Sequence, residues 1–287
     1  MTESNVDFHL LVPAAGAGAR LGATTPKQYL PLAGHPMLGW TLRPFVQVPW
    51  IRQIVVVVAP DDPYVDEVLS ASAGLLAGAA SPSPPLPQTV SPQTASPQTS
   101  LPSIPSPALP WTQRLRVARV GGATRRDSVL NGLAWLQRHA APAADDFVLV
   151  HDAARPGLAP QSLERLRREL IDHPVGGLLG LPVVDTVKRA GPDRQVVATV
   201  PREHLWLAQT PQMFRFAPLW QALSAHADVT DEAAAIEAAG HSPRLVEGSA
   251  DNFKVTHAPD LQRMADWLSR QVTSGFLPSS ESGALSK

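Results

Sequence analysis

A run of small residues, Pro13-Ala14-Ala15-Gly16-Ala17-Gly18-Ala19-Arg20-Leu21-Gly22, follows the short apolar stretch His9–Val12. Glycine and alanine there let backbone N–H groups come close to phosphate oxygens, and Arg20 adds a compensating charge. Lys27 follows in Pro26-Lys27-Gln28-Tyr29. A nucleoside triphosphate carries about four negative charges, which Arg20 and Lys27 would partly offset. The dinucleotide fingerprint GxGxxG fits only in part. Gly16 and Gly18 match it, but position 21 is Leu and the third glycine is displaced to Gly22. The ribose-binding acid expected about 20 residues later is also missing. The pattern GxxxxGK[ST] is absent. Taken alone, the loop is a moderate signal, the less favoured alternative being a tight strand-to-helix turn.

A second centre is His151-Asp152-Ala153-Ala154-Arg155-Pro156, directly after the apolar run Phe147–Val150. In open α/β sheets ligands bind at the carboxyl ends of strands. Asp152 there can hold Mg²⁺ against phosphates and Arg155 can clamp an acceptor phosphate; alternatively Asp152 only caps a turn. In Gly121-Gly122-Ala123-Thr124-Arg125-Arg126-Asp127-Ser128, backbone groups near Gly122 and the Ser128 hydroxyl can read a base edge. The plainer reading makes Asp127 or Ser128 an N-cap. Thr230-Asp231-Glu232 reads as a capped helix start with acids at the positive end of the dipole. Lys254 sits in the short extended segment Asp251–Val255.

Other chemistries are excluded by what the 287 residues lack. With no cysteine there is no disulfide scaffold, thiolate zinc site, iron–sulfur centre or cysteine nucleophile. The nine histidines form no HExxH or paired ligand spacing, and no GxSxG elbow occurs. Lys+Arg 24 against Asp+Glu 25 leaves a formal charge of -1, so no basic field draws the chain to nucleic acid. The start, with Glu3 and Asp7, lacks the basic and apolar regions of a leader. No apolar run approaches the roughly 18 residues of a membrane helix. A cytoplasmic protein that binds neither membrane nor nucleic acid is expected.

The elements that must hold these residues alternate between buried strands and amphipathic helices. Ile54–Ala59 is continuous and β-branched, as in a parallel strand covered on both faces. His9–Val12, Arg116–Val120, Phe147–Val150 and Gly177–Val184 read as further strands. Helices are predicted at Ser128–His139, Gln161–Ile171, Thr230–Ala239 and Pro259–Gln271, each with apolar residues on one face. The alternation predicts an α/β fold, a three-layer open and mostly parallel sheet.

Two segments break that rhythm. No charged residue or histidine occurs from Val68 to Gln113, and proline recurs from Ser81 to Pro110. Residues 74–112 therefore read as a disordered insertion, with too little apolar surface to offset ordering. In 183–202, polar extended stretches Asp185–Ala190 and Val196–Val200 flank Gly191-Pro192-Asp193-Arg194, which is hairpin punctuation. This predicts an arm that packs on something else, such as another subunit. One domain is expected over 1–271, with 272–287 a flexible tail.

In order along the chain, VPAAGAGARLG with PKQYLPLAG, GGATRRDSVLNGL, VLVHDAARP, PVVDTVKRA, AQTPQMF, TDEAAAIEAAG and VEGSADNFKVT resemble one family. These pieces are similar to the 2-C-methyl-D-erythritol 4-phosphate cytidylyltransferases of isoprenoid precursor synthesis, which implies a Rossmann-like nucleotidyltransferase fold for the domain over 1–271. The resemblance implies that Ala14, Ala15, Gly16, Gly18, Arg20 and Lys27 bind CTP. It implies Gly122, Ala123 and Ser128 on the cytosine side, Ala153 at the ribose and Asp152 on Mg²⁺. Arg155, Thr186, Thr210, Thr230 and Lys254 would surround methylerythritol phosphate, with Lys254 also near the reacting phosphates. Arg202 matches an arginine reaching across a homodimer from the arm. Ala123 stands where the family often has a polar or acidic residue, and the proline-rich insertion is not a family feature. The stretch after Gln271 is too short for the fused cyclodiphosphate synthase domain of some relatives.

The expected reaction is in-line attack by the acceptor's phosphate on the α-phosphorus of CTP, releasing pyrophosphate. The nucleophile is already anionic, because a phosphate monoester's second pKa is about 6, so no general base is needed. Positioning and charge stabilisation by Arg20, Lys27, Lys254 and Mg²⁺ then supply the catalysis. Three competing readings stay open on sequence. They are a cytidylyltransferase for ribitol phosphate or another polyol phosphate, a silent nucleotide-binding protein, and a nicotinamide-dependent reductase.

Overall fold

The computed structural model describes residues 6–16, 25–78 and 109–273. Its first strand, β1 (Phe8–Pro13), is followed by a short hairpin of β2 (Pro31–Leu32) and β3 (His35–Pro36), then α1 (Met37–Gln47). Next come β4 (Ile51–Val57), α2 (Val65–Ala77), α3 (Trp111–Arg114), β5 (Leu115–Ala118) and α4 (Arg125–His139). The middle of the chain forms β6 (Phe147–Val150), α5 (Pro160–Leu170), β7 (Gly176–Pro182), β8 (Val187–Ala190) and β9 (Val196–Val200). It ends with β10 (Trp206–Arg215), α6 (Phe216–Ala225), α7 (Glu232–Ala238), β11 (Arg244–Glu247) and α8 (Ala258–Thr273).

Seven strands make the central sheet in the order β11-β7-β10-β6-β1-β4-β5. Only β10 runs antiparallel to its neighbours; the other pairings are parallel. Side chains alternate across the pleat, so β1 feeds both faces. Leu10 and Val12 join α1, α2 and α5 through Leu38, Phe45, Val65 and Leu163. Leu11 joins α4, α6 and α7 through Val129, Leu133, Leu219 and Ile236. This is the three-layer, mostly parallel α/β sheet read from the sequence. Fully burying each such Leu or Val contributes roughly 1.5–3 kcal/mol.

The strand order carries a functional consequence. From β1 the chain moves to β4 and β5 on one side, then crosses to β6 on the other. The ends of β1 and β6 thus border a topological switch point, where adjacent loops diverge and leave a crevice.

The edges of the proline-rich segment differ from the sequence reading. Residues 74–77 continue α2, where Leu75 and Leu76 are buried, and 111–112 begin α3. Residues 79–108 lie outside the described residues. Likewise α8 runs to Thr273, two residues past the expected end, and the rest of the expected tail lies outside the description. Among the described residues strands β8 and β9 pair only with each other; Val196 and Val197 on β9 and Val184 before β8 are exposed.

Candidate active site

At the carboxyl end of β1, the Ala14 N–H donates to the Val57 carbonyl at 2.7 Å. Buried Gln28 then fixes the turn, its Nε2 donating to the carbonyls of Ala14 at 2.6 Å and Gly16 at 3.0 Å. The next residue, Tyr29, donates its hydroxyl to Asp62 at 2.7 Å, and Asp62 also accepts the Tyr64 and Val65 amides that open α2. Lys27, immediately before these anchors, donates to the Val255 carbonyl at 3.0 Å. The loop after β5 closes on the same turn. A Cβ at Gly121 would stand 2.3 Å from the Ala15 Cβ, so glycine is required there for close approach.

Helix α4 begins with a capping box, in which Thr124 accepts the Asp127 amide and Asp127 reaches back to the Thr124 N–H. The cap is therefore Thr124, with Asp127 its reciprocal partner, and Ser128 is released for another role. The Ser128 hydroxyl accepts the Gly122 N–H at 3.1 Å and donates to the Thr124 carbonyl at 3.0 Å.

At the end of β6, His151 and Asp152 have opposite environments. The His151 Nε2 donates to the Arg155 carbonyl at 3.1 Å, which makes Nδ1 the acceptor of the neutral ring. The Thr210 hydroxyl fills that acceptor at 3.0 Å, while its oxygen accepts the Asp152 amide at 3.0 Å. Burial lowers the His151 pKa to about 4, so the ring is neutral.

Among the described residues three cations meet the Asp152 carboxylate. Arg125 Nε donates to Oδ1 at 2.9 Å, Lys254 Nζ to Oδ2 at 2.9 Å, and Arg155 Nε approaches Oδ2 at 3.4 Å. Burial pushes this carboxyl up, but Arg125, Lys254 and Arg155 outweigh it and hold the group well below the usual carboxylate range. Arg125 also forks onto Glu232, with its two terminal nitrogens 2.7 and 3.0 Å from the two carboxylate oxygens. Burial pulls Arg125 down, yet Glu232 and Asp152 more than restore its charge.

These elements border a cleft of about 620 Å³. Of the residues singled out in the sequence, Ala14, Ala15, Gly16, Lys27, Gly122, Ala123, Ser128, Asp152, Ala153 and Lys254 all line it. Gly18 and Arg20 lie outside the described residues. Arg155 stands behind the lining, tied to the Asn252 carbonyl at 2.8 Å. Thr210 is buried, with its hydroxyl spent on His151 and Asp152. Thr186, Arg202 and Thr230 are exposed outside the lining, and Arg202 donates to the Val184 carbonyl in its own chain.

Sequence reasoning missed Gln28, Arg125 and Glu232. Arg125 and Arg126 are indistinguishable by type, and only the helix register separates them. Asp231 does cap α7, accepting the Ala234 amide, but the adjacent Glu232 is fully buried against Arg125. Acids at a helix start gave no sign of that difference.

The sequence model of the family described as 2-C-methyl-D-erythritol 4-phosphate cytidylyltransferase matches residues 8–83 and 107–270. A protein of that name from Laribacter hongkongensis is 48% identical over 253 residues, covering 88% of this chain and 91% of its own. One from Chromobacterium violaceum is 47% identical over 254 residues, covering 88% and 93%. Among solved structures, a 4-diphosphocytidyl-2C-methyl-D-erythritol synthase superposes with a TM-score of 0.69. It is 33% identical and covers 92% of this chain and 98% of its own. The Francisella tularensis 2-C-methyl-D-erythritol 4-phosphate cytidylyltransferase gives 0.63 at 30% identity, covering 91% and 99%.

Proposed function

The chain belongs to the 2-C-methyl-D-erythritol 4-phosphate cytidylyltransferase family, and we propose from that premise how its cleft carries out the reaction. The enzyme transfers CMP from CTP to 2-C-methyl-D-erythritol 4-phosphate in the non-mevalonate isoprenoid pathway. An oxygen of the acceptor's phosphate forms a new bond to the α-phosphorus of CTP as the bond to the leaving oxygen breaks. The products are 4-diphosphocytidyl-2-C-methyl-D-erythritol and pyrophosphate. The observation that carries this reading is the cluster of Arg125, Lys254 and Arg155 around Asp152, at the switch point and beside the Lys27 turn.

In this reading Ala14, Ala15 and Gly16 present their backbone to the nucleotide, joined by Gly18. Gly122, Ala123 and Ser128 face the cytosine, and Ala153 faces the ribose. Arg20, Lys27 and Lys254 stabilise charge on the phosphates as the α-phosphorus is attacked. Arg155, Thr186, Thr210 and Thr230 belong to the acceptor side. No group needs to remove a proton from an acceptor phosphate that is already ionised.

Among the described residues there is no cluster of three or more His, Asp or Glu suited to a metal. The single carboxylate Asp152 fits Mg²⁺ nonetheless, because that ion keeps several waters and takes one or two carboxylates alongside substrate phosphates. Asp152 would hold it, and the ion would neutralise phosphate charge.

Homodimer formation is part of the same proposal. Val196 and Val197 on the arm are 63% and 66% exposed, and Val184 at its base is 75% exposed. A second copy would cover them, with Arg202 reaching the partner's acceptor site. Among the described residues no helix is long and apolar enough to cross a membrane. The cytoplasmic setting expected from the sequence completes the proposal.

The test is pyrophosphate release from CTP and Mg²⁺ with methylerythritol phosphate, with ribitol 5-phosphate and with no acceptor. Release that requires methylerythritol phosphate is expected. Release with ribitol phosphate alone would overturn the acceptor assignment while keeping the phosphate chemistry. No release from folded protein that binds CTP would overturn the reaction.

A further inference from the structure

Three cations contend for two oxygens of Asp152, and they are not equivalent. The Arg125 side chain is 27% exposed, Arg155 is 12% exposed, and Lys254 is 41% exposed. Arg125 opens α4 and Glu232 opens α7, so two helix starts bring a fully buried carboxylate against a cation of the cleft wall. Both Glu232 oxygens accept from the guanidinium; burial pushes this carboxyl up, and the Arg125 charge and fork oppose that shift.

We propose that Glu232 is a positioning residue that apportions the cations around Asp152. By holding the fork of Arg125 it confines Arg125 to one hydrogen bond on Oδ1, and so leaves Oδ2 to Lys254 and the more distant Arg155. The proposal rests on reading the cleft as the site of cytidylyl transfer.

The argument is geometric. A guanidinium prefers to bind a carboxylate through two parallel N–H bonds. Without the Glu232 carboxylate, the other carboxylate that Arg125 already touches is Asp152. A fork there would occupy both oxygens and evict Lys254. With Glu232 present, the strongest fork is spent behind the wall. Asp152 keeps Arg125 and Arg155 as its less exposed partners, and the more exposed ammonium on its four-carbon stem is the exchangeable one. Lys254 can then leave for an incoming phosphate while Arg125 keeps Asp152 compensated. A buried ion pair is weak evidence for stability, since apolar residues often serve as well. A clamp between α4 and α7 therefore accounts poorly for a fully buried charge placed against a site arginine.

The test uses Glu232→Gln, read by acylation of lysine amines resolved by mass spectrometry, with exposed Lys188 as internal reference. Labelling of Lys254 should rise severalfold against Lys188 as Arg125 swings onto Asp152. The kcat should fall about tenfold, the range for groups that orient a reacting residue from behind, with KM for CTP little changed. The double variant Arg125→Gln/Glu232→Gln has no guanidinium to release and should return Lys254 labelling to the wild-type level. Glu232→Asp keeps the charge but strains the fork, and should show the same change in smaller measure if the glutamine variant fails to fold.

Unchanged Lys254 labelling in a folded single variant would overturn the proposal. So would labelling in the double variant as high as in the single one, or a joint rise at Lys27, Lys188 and Lys254 with a lower Tm. The labelling needs no turnover. A wild-type enzyme that bound CTP but transferred nothing would count against the reaction, while labelling would still decide the role of Glu232.

Discussion

The Thr210 hydroxyl stands 3.0 Å from His151 Nδ1 and, on its other side, 3.0 Å from the Asp152 amide. One side chain from β10 thereby sets both the ring and the backbone at the end of β6. Thr210→Val keeps the shape and removes both bonds, leaving a buried amide and ring nitrogen without partners. The expected cost is about 2 kcal/mol of unfolding free energy, read by denaturant titration. The kcat should fall with it, and Thr210→Ser should recover most of both. A serine variant as impaired as the valine one would show that the methyl, not the hydroxyl, matters.

Stability should fall as pH drops from 6.5 toward 4. His151 is neutral in the fold down to about pH 4, whereas the unfolded ring takes a proton near 6.5. The lowered folded value means that its contribution is complete above 6.5 and lost across that window, roughly 3 kcal/mol in all. Asp152, also depressed, adds a further loss on acidification below about 3.9. In thermal melts from pH 7.5 to 4, His151→Gln should show a flatter profile; a slope equal to wild type would contradict the assignment.

Lys27→Ala should lower kcat by about 100-fold or more, as expected for a charge acting chiefly in the transition state, and weaken CTP binding much less. Steady-state kinetics with a separate CTP titration would check this. An unchanged kcat with a raised KM would reduce Lys27 to ground-state binding.

Val197→Asp places a charge on the exposed apolar side of the arm and should shift sedimentation toward the monomer. The fold of the monomer should survive, because among the described residues β8 and β9 pair with no strand of the main sheet. Sedimentation identical to wild type would remove the arm from the assembly.

Excising residues 84–106 and joining the ends with a short Gly/Ser linker should leave kcat, KM and Tm at wild-type values. The family match resumes on both sides of that gap. A loss of CTP binding in the shortened chain would assign the segment a role in the site.

The parallel core was legible because β-branched runs such as Ile54–Val57 admit few other readings. Strand β10 was not, since Gln209-Thr210-Pro211 reads as a turn. Those residues do leave the ladder with β7, where the register shifts between Ala208 and Gln212. Helix α1 hid behind Gly39 and Pro44, which argue against a helix although its buried face supports one. In the site, backbone-binding loops showed as small residues. The Arg125–Glu232 pair did not, because 107 positions separate its members and neither spacing nor composition encodes the contact.

Strand β10 also determines where the gene tolerates a change of length. Its first residues pair with β7 beside the arm, and its later ones bring Thr210 to Asp152 and Gln212 to Val150. Inserting or deleting one codon there would turn every following side chain to the opposite face, moving the arm's footing and the acid's backbone partner in one event. A change of length in β10 is therefore costly unless a bulge absorbs it, whereas the family match skips residues 84–106 altogether.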